Sequence, residues 1–241
     1  MDNLLGEFVG TMVLLVFGCG VCANLTLEKS KGQASGWVNI AIGWGFAVTL
    51  GVFTATTLGA PQGDLNPAVT FGKTLLGIYT IPQFLATSVV QILGGILGAA
   101  IVWLAYLPHW EETKDKAAKL GIFCTAPAIR KMGPAFLCEF IATFFLMFVI
   151  WMIFSKPVGT MVPGYGPYIV GVLIWALGLS LGGPTGYAMN PARDLGPRIA
   201  HAILPIAGKG GSDWGYAWVP ICAPLCGAGF AYVVAHALGV F

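Results

Sequence analysis

The tripeptide Asn-Pro-Ala occurs twice in this chain, once in each half. The two copies are Asn66-Pro67-Ala68 and Asn190-Pro191-Ala192. Asparagine is a preferred helix N-cap, and proline is preferred at the first helical position, where its missing N–H costs nothing. Each copy therefore predicts a helix N-terminus beside an apolar stretch. Recurrence in both halves favours a pore built from an internal duplication over two unrelated caps of buried helices.

The composition is that of an integral membrane protein. Of the 241 residues, 57% are hydrophobic and only 9% are charged, and the mean hydropathy is +0.81. Soluble domains carry about 25% charged residues. The net charge of +2 provides no strongly basic surface for nucleic acid. We therefore predict a chain that is embedded in a lipid bilayer and has no nucleic-acid partner.

Six apolar stretches are long enough to cross a membrane as helices, because about 20 apolar residues span a bilayer. They cover residues 4–26, 36–58, 82–107, 133–155, 166–183 and 215–239. Two shorter apolar segments, 67–78 and 191–203, each follow an Asn-Pro-Ala copy. They are too short to cross, so we predict that they form re-entrant half-helices.

The two halves resemble each other beyond this tripeptide. Residues 7–11, Glu-Phe-Val-Gly-Thr, match residues 139–143, Glu-Phe-Ile-Ala-Thr, and Gly-Gly at 94–95 matches Gly-Ala at 227–228. Each half has an odd number of spans, so the second copy must enter the membrane from the opposite side. We predict an all-α membrane protein with six transmembrane helices and two re-entrant half-helices in an inverted repeat.

The predicted organisation is a single transmembrane channel domain over residues 1–241. It consists of repeat 1 (1–107), a connector (108–132) and repeat 2 (133–241). The connector is the longest polar stretch of the chain and is rich in charged residues, so we expect it to be solvated. The positive-inside rule places it in the cytoplasm.

Three segments resemble the major intrinsic protein family, which comprises the aquaporins and aquaglyceroporins. They are residues 7–11, 63–70 and 186–198. The resemblance extends over nearly the whole chain and is strongest to the bacterial glycerol facilitators. It implies the aquaporin-like fold, a homotetramer with one pore per subunit, and a multi-pass protein of the bacterial cell membrane. It also implies a membrane orientation opposite to the one that the charge bias favours.

The resemblance assigns four residues to a selectivity filter at the outer constriction of the pore. They are Trp44, Gly178, Tyr187 and Arg193. Arginine within a membrane is costly and marks a functional site, and its N–H groups can bind two solute hydroxyls. Trp44 and Tyr187 would contact the carbon side of a polyol. Water-selective relatives have histidine at position 178, so glycine implies a wider pore. The alternatives are an arginine that extends to the membrane surface and aromatic rings that face lipid.

Three acidic residues are expected to support the pore. A buried carboxylate needs hydrogen-bond partners, and the resemblance implies that Glu7 and Glu139 accept bonds from the backbone of the re-entrant loops. A proton relay is the alternative. Asp194, in the first turn after the second Asn-Pro-Ala, is typical of glycerol-conducting members. The helix dipole favours an acid there, and we expect it to pair with a neighbouring loop.

One position departs from the pattern of the family. The family usually has histidine two residues before the first Asn-Pro-Ala, whereas this chain has Asp64. The loop that leads to it is also longer than in the relatives that it resembles most. An acid there would bring a negative charge or a protonated carboxyl group to the inner mouth. We therefore expect Asp64 to affect cation exclusion, gating or the response to pH.

Together these residues predict a passive channel for glycerol and other small uncharged solutes, with water. Two helix N-termini that point at its centre exclude ions and protons. The sequence contains no recognisable catalytic constellation, metal-ligand set or nucleotide loop, so we expect no enzyme activity, metal or cofactor. A water-selective pore, or a pore for urea, hydrogen peroxide or protonated lactic acid, remains open. A structural junction protein with a closed pore is the alternative from another class.

Overall fold

The protein is described by a computed structural model that covers residues 3–241, and these residues form helices and loops without a β-strand. The α-helices are α1 (Leu4–Thr26), α2 (Trp37–Thr57), α3 (Pro67–Leu75), α4 (Ile81–Ala105), α5 (Leu107–Glu112), α6 (Lys116–Phe123), α7 (Met132–Ile153), α8 (Tyr165–Leu181), α9 (Pro191–Ile203) and α10 (Val219–Ala237). A short 3-10 turn at Lys156–Val158 precedes α8.

Six of these helices correspond to the six predicted spans. Helices α1, α2, α4, α7 and α10 are long and apolar enough to cross a membrane. Helix α8 is apolar but has only 17 residues, which gives it a length of about 25 Å, near the lower limit for a span. Helix α10 begins at Val219 rather than at 215, because Asp213 has a positive φ of 48° and the residues after it form turns.

The two half-helices are α3 and α9, and each begins directly after the asparagine of an Asn-Pro-Ala copy. The Asn66 side chain accepts a hydrogen bond from the backbone N–H of Ala68 at 2.8 Å. Asn190 accepts from the N–H groups of Ala192 at 2.9 Å and Arg193 at 3.1 Å. The predicted caps therefore form. Helix α3 ends at Leu75, three residues before the predicted end, in a turn through a glycine with positive φ.

The helices pack as an inverted repeat. Helix α1 packs against α2 and α4 in the first half, and α7 packs against α10 in the second. Each half-helix packs against a span of the other half, α3 against α10 and α9 against α4. Helix α8 packs mainly against α2. The two Asn-Pro-Ala copies are therefore held between the halves by contacts that neither half makes alone.

Two glycines at equivalent positions allow the spans to approach closely. A Cβ atom on Gly94 of α4 would lie 2.3 Å from the carbonyl oxygen of Phe8 on α1. A Cβ atom on Gly227 of α10 would lie 2.5 Å from the carbonyl oxygen of Phe140 on α7. Both distances are far below van der Waals contact with a backbone atom that cannot rotate away. The matched glycines in the sequence thus correspond to matched helix crossings, where small residues are favoured.

Replacing Gly94 by alanine is expected to lower the free energy of unfolding by about 1–3 kcal/mol, because overpacking forces α1 and α4 apart. The matched control is Gly20→Ala on α1, where no heavy atom lies within 4 Å of the Cβ position. Thermal unfolding in detergent compares the two variants with the wild-type protein. Equal melting temperatures for the two variants would contradict the close crossing.

The connector is not solvated throughout, so this part of the prediction is wrong. Residues 107–123 contain helices α5 and α6, and α6 packs against α1 and α9. The side chains of Trp110, Ile122 and Phe123 are buried. Lys119 is also buried, and its ammonium group donates to the carbonyl of Ala207. The apolar side of α6 covers half-helix α9, while the charged residues of the connector other than Lys119 remain on the outside.

Candidate functional site

The two half-helices meet end to end at their asparagines. The side-chain Nδ2 of Asn66 donates to the carbonyl of Met189 at 2.9 Å, and Nδ2 of Asn190 donates to the carbonyl of Leu65 at 2.8 Å. Both asparagines line the same cavity, and each amide has a second N–H. Each helix N-terminus carries roughly +0.5 elementary charge. The junction is therefore a hydrogen-bond donor to a neutral solute and unfavourable for a cation.

Glu7 holds the loop before the first junction residue. Its carboxylate is fully buried and accepts bonds from the backbone N–H groups of Asp64 and Leu65, both at 2.8 Å. Gln91 of α4 donates to the same carboxylate at 2.8 Å and to the hydroxyl of Thr70 at 3.1 Å. Gln91 was not predicted from the sequence, although a glutamine within an apolar span is itself a signal of a functional or supporting residue.

Glu139 does the same in the second half. Its fully buried carboxylate accepts from the N–H groups of Ala188 and Met189, both at 2.9 Å, and from the hydroxyl of Thr185 at 2.6 Å. All of these donors come from the loop that leads to Asn190. The geometry of both glutamates is that of a backbone anchor, with donors already on the carboxylate oxygens.

Two cavities lie on either side of a constriction. One has a volume of about 430 Å³ and contains the Asn66–Asn190 junction. The other has a volume of about 250 Å³ and is lined in part by the connector. Three side chains line both cavities, those of Trp44, Tyr187 and Arg193. A solute that passes from one cavity to the other must therefore pass these three.

Arg193 forms the polar side of this constriction. Its guanidinium Cζ lies 3.9 Å from the centre of the Trp44 ring, a cation–π distance. Its Nη1 donates to the carbonyl of Phe123, at the end of α6, at 3.2 Å. The other N–H groups of the guanidinium are free of bonds to the residues that the structure describes. The buried part of the connector thus orients the arginine, a role that the sequence analysis did not assign to it.

Gly178 lies behind the constriction and lines neither cavity. A Cβ atom at this position would lie 2.8 Å from both Cζ and Oη of Tyr187. The space that glycine leaves is therefore filled by the tyrosine ring, whereas the sequence led us to expect that it would be open to a solute. Trp37 completes this wall, because its Nε1 donates to the carbonyl of Gly178 at 2.9 Å and its ring packs edge-on against Tyr187.

The hydroxyl group of Tyr187 lies beside Gly178. The φ of Tyr187 is +39°, an unusual conformation that turns the ring toward Gly178. The hydroxyl is buried and has no hydrogen-bond partner within residues 3–241. A buried hydroxyl without a partner is costly, and because it has no accessible surface, the ring of Tyr187 rather than its hydroxyl lines the pore.

Asp194 pairs with a neighbouring loop, as its position in the first turn of α9 suggested. Its Oδ2 accepts from the backbone N–H of Thr125 at 2.8 Å and from the hydroxyl of Thr125 at 2.7 Å. Its Oδ1 accepts from Nε of Arg198 at 2.8 Å. Arg198, also fully buried, donates further to the carbonyls of Thr125, Ser212 and Asp213. This network fixes the connector and the loop after α9 to the half-helix.

Asp64 does not bring an unpaired negative charge to the pore mouth, and its effect on cation exclusion, gating or the response to pH stays a prediction. Its side chain is fully buried, and its Oδ1 lies 2.5 Å from the ammonium Nζ of Lys73. A buried carboxylate requires such a partner. Lys73 is in the last turn of α3, and the sequence analysis missed it, although a lysine within an apolar half-helix is a signal for a buried ion pair.

Comparisons with known proteins agree with this geometry. The profile of the family described as Major intrinsic protein matches residues 1–235. The chain is 52% identical over 236 residues to glycerol uptake facilitator protein 3 of Lactiplantibacillus plantarum, with 98% of this chain and 96% of that protein covered. It is 49% identical over 230 residues to a probable glycerol uptake facilitator protein of Thermotoga maritima, with 94% and 95% covered.

The fold has a solved counterpart as well. The X-ray structure of the aquaglyceroporin from Plasmodium falciparum superimposes with a TM-score of 0.85 at 29% identity, and the match covers 97% of this chain and 94% of that one. A family profile that spans almost the whole chain, two relatives near half identity and this shared architecture lead to one conclusion: the chain belongs to the major intrinsic protein family.

Proposed function

We propose that this protein is a passive membrane channel for glycerol and other small uncharged solutes, with water, and that it excludes ions and protons. The observation that carries the proposal is the constriction, which is lined by a cationic donor, Arg193, and by the aromatic rings of Trp44 and Tyr187 and so has a polar part and an apolar part. A polyol has the same division into an oxygen edge and a carbon edge. The names of the bacterial relatives support glycerol as the solute.

The pathway that we propose alternates donors with apolar surface. A polyol in the constriction binds Arg193 through its oxygens while its carbons contact Trp44 and Tyr187. It then meets the amide N–H groups of Asn66 and Asn190 at the junction of the half-helices. Sites that are weak enough to release the solute but replace part of its hydration permit fast passage. The positive ends of both half-helices oppose cations and interrupt proton transfer along water.

The exterior of the protein indicates what surrounds the channel. Large apolar side chains are exposed on the spans, for example Leu85, Val89, Leu93 and Leu97 along one side of α4, and this supports contact with the lipid bilayer. We further propose a homotetramer with one pore per subunit, which rests on membership of the family. Native mass spectrometry in detergent tests it, and a monomer alone would contradict it.

The function is tested by stopped-flow light scattering on proteoliposomes. Liposomes that contain the protein are expected to recover their volume in a glycerol gradient much faster than empty liposomes, and to shrink in sucrose without recovery. Water flux is measured in the same preparation. Fast water flux with glycerol at the rate of empty liposomes would contradict the proposal and favour a water-selective pore. Both fluxes at the empty-liposome rate would favour a closed pore.

A further inference from the structure

The larger cavity has a second cationic group, far from the constriction. Arg193 lines the cavity at the constriction, and Lys73 lines it near the end of α3. Lys73 is seven positions after Asn66, a rise of about 10 Å along the helix. A solute therefore passes Arg193, the two asparagines and then Lys73. Arg193 and the two asparagines do not require a further hydrogen-bond donor at the position of Lys73.

The ion pair at Lys73 presents its positive member to the cavity. The side chain of Asp64 is 0% exposed, whereas that of Lys73 is 15% exposed. An ammonium group has three N–H donors. One is bound to Asp64 at 2.5 Å and another to the carbonyl of Gln62 at 3.2 Å. The third has no acceptor among residues 3–241, and Lys73 borders the cavity.

The wall that α7 and α8 contribute to this cavity is apolar. Its residues are Leu146 and Ile150 of α7, Phe154 directly after α7, and Pro167, Val170 and Ile174 of α8. A polyol between this wall and α3 loses hydration on its carbon edge at little cost, but each hydroxyl without a partner is costly. An ammonium donor on the other side lowers that cost, in the way that Arg193 does beside Trp44 and Tyr187.

We propose that Lys73 is a second solute-binding residue of the channel, which donates a hydrogen bond from its ammonium group to an oxygen of a polyol in the larger cavity. Asp64 and the carbonyl of Gln62 hold the ammonium in place. The proposal rests on the proposed glycerol function. The ammonium donor of Lys73 should favour polyols over water. A water molecule in the cavity keeps hydrogen bonds to other water molecules, whereas a polyol must replace several hydrogen bonds at once.

The test compares glycerol and water permeability of proteoliposomes at equal protein content. Lys73 is changed together with its partner, in Lys73→Met/Asp64→Asn, so that no buried carboxylate is left without a counter-ion. The glycerol permeability of this variant is expected to fall about tenfold, the effect of one lost bond from a charged donor. Its water permeability is expected to change by less than about twofold, since no water site is lost.

Lys73→Arg is the matched control, because it keeps both the cation and the ion pair. Its ratio of glycerol to water permeability is expected to stay close to that of the wild-type protein. An unchanged ratio in Lys73→Met/Asp64→Asn, or an equal fall of both permeabilities, would assign Lys73 only to holding the loop and overturn the proposal. A wild-type protein that conducts water but no glycerol would instead overturn the proposed function, and with it this role of Lys73.

Discussion

Replacing Asp194 by alanine is expected to lower the free energy of unfolding by about 3–5 kcal/mol, the usual cost of removing one partner of a buried ion pair. The change leaves the guanidinium of Arg198 fully buried without its carboxylate. It also removes the acceptor of two donors on Thr125. The three carbonyls around Arg198 stay in place, so the arginine remains hydrogen-bonded but its charge is no longer balanced. Denaturation in mixed detergent micelles measures the loss.

The matched control is Asp213→Asn. Asp213 forms a two-bond ion pair with Arg130 at 2.6 and 2.8 Å, but the arginine side chain is exposed. Exposed pairs are screened by water and contribute little, and asparagine tolerates the positive φ of Asp213. Its effect is therefore expected to be far smaller. Equal losses for the two variants would show that burial of the Asp194–Arg198 pair has no special cost.

Replacing Asp194 by alanine is also expected to disturb the constriction. Thr125 is two residues after Phe123, whose carbonyl binds the guanidinium of Arg193. Without Asp194, Thr125 is held only through its carbonyl by Arg198, so the Phe123 carbonyl is fixed less firmly and orients Arg193 less well. Asp194→Asn keeps the shape and one acceptor oxygen, so we expect it to fall between alanine and the wild-type protein in both stability and glycerol permeability.

The features that the sequence predicted well are those with a local cause. Helix starts at Asn66 and Asn190 follow from the capping chemistry of asparagine and proline. The spans follow from the length of the apolar stretches, and the start of α10 differs by a few residues because the turn after Asp213 depends on one backbone angle. The acid at position 194 was expected to pair with a loop, since a helix N-terminus favours it there.

The features that the sequence did not predict depend on distant contacts. Helix α6 looks like a charged connector in isolation, and only its packing on α1 and α9 buries Phe123 and Ile122. Asp64 is neutralised by Lys73, a residue on the far end of the next helix. Glycine at position 178 shows that no side chain is present there, but the sequence does not show which residue fills the space. The answer depends on the ring of Tyr187, which arrives from another loop with a positive φ.

Replacing Gly178 by alanine is expected to reduce glycerol permeability by about tenfold or more, since overpacking of 1–3 kcal/mol acts directly on the barrier. The new Cβ would lie 2.8 Å from Cζ and Oη of Tyr187 and 3.0 Å from the Cβ of Ala41. The ring cannot retreat toward Gly182, because it already lies against that residue. It must therefore move into the constriction. Histidine at position 178 is expected to reduce glycerol permeability further. Water, being smaller, is expected to be slowed less by either change.

A second substitution separates two explanations of this glycine. If Gly178 leaves room for the solute itself, shortening Tyr187 to leucine in the alanine variant leaves the added methyl group in the way. If Gly178 seats the tyrosine ring, Gly178→Ala/Tyr187→Leu removes the clash and restores much of the glycerol permeability. Gly183→Ala is the control for adding a methyl group nearby, since no heavy atom lies within 4 Å of its Cβ position. Recovery in the double variant would make Gly178 and Tyr187 one unit of the filter, in which the glycine sets the width of the pore through the position of the ring.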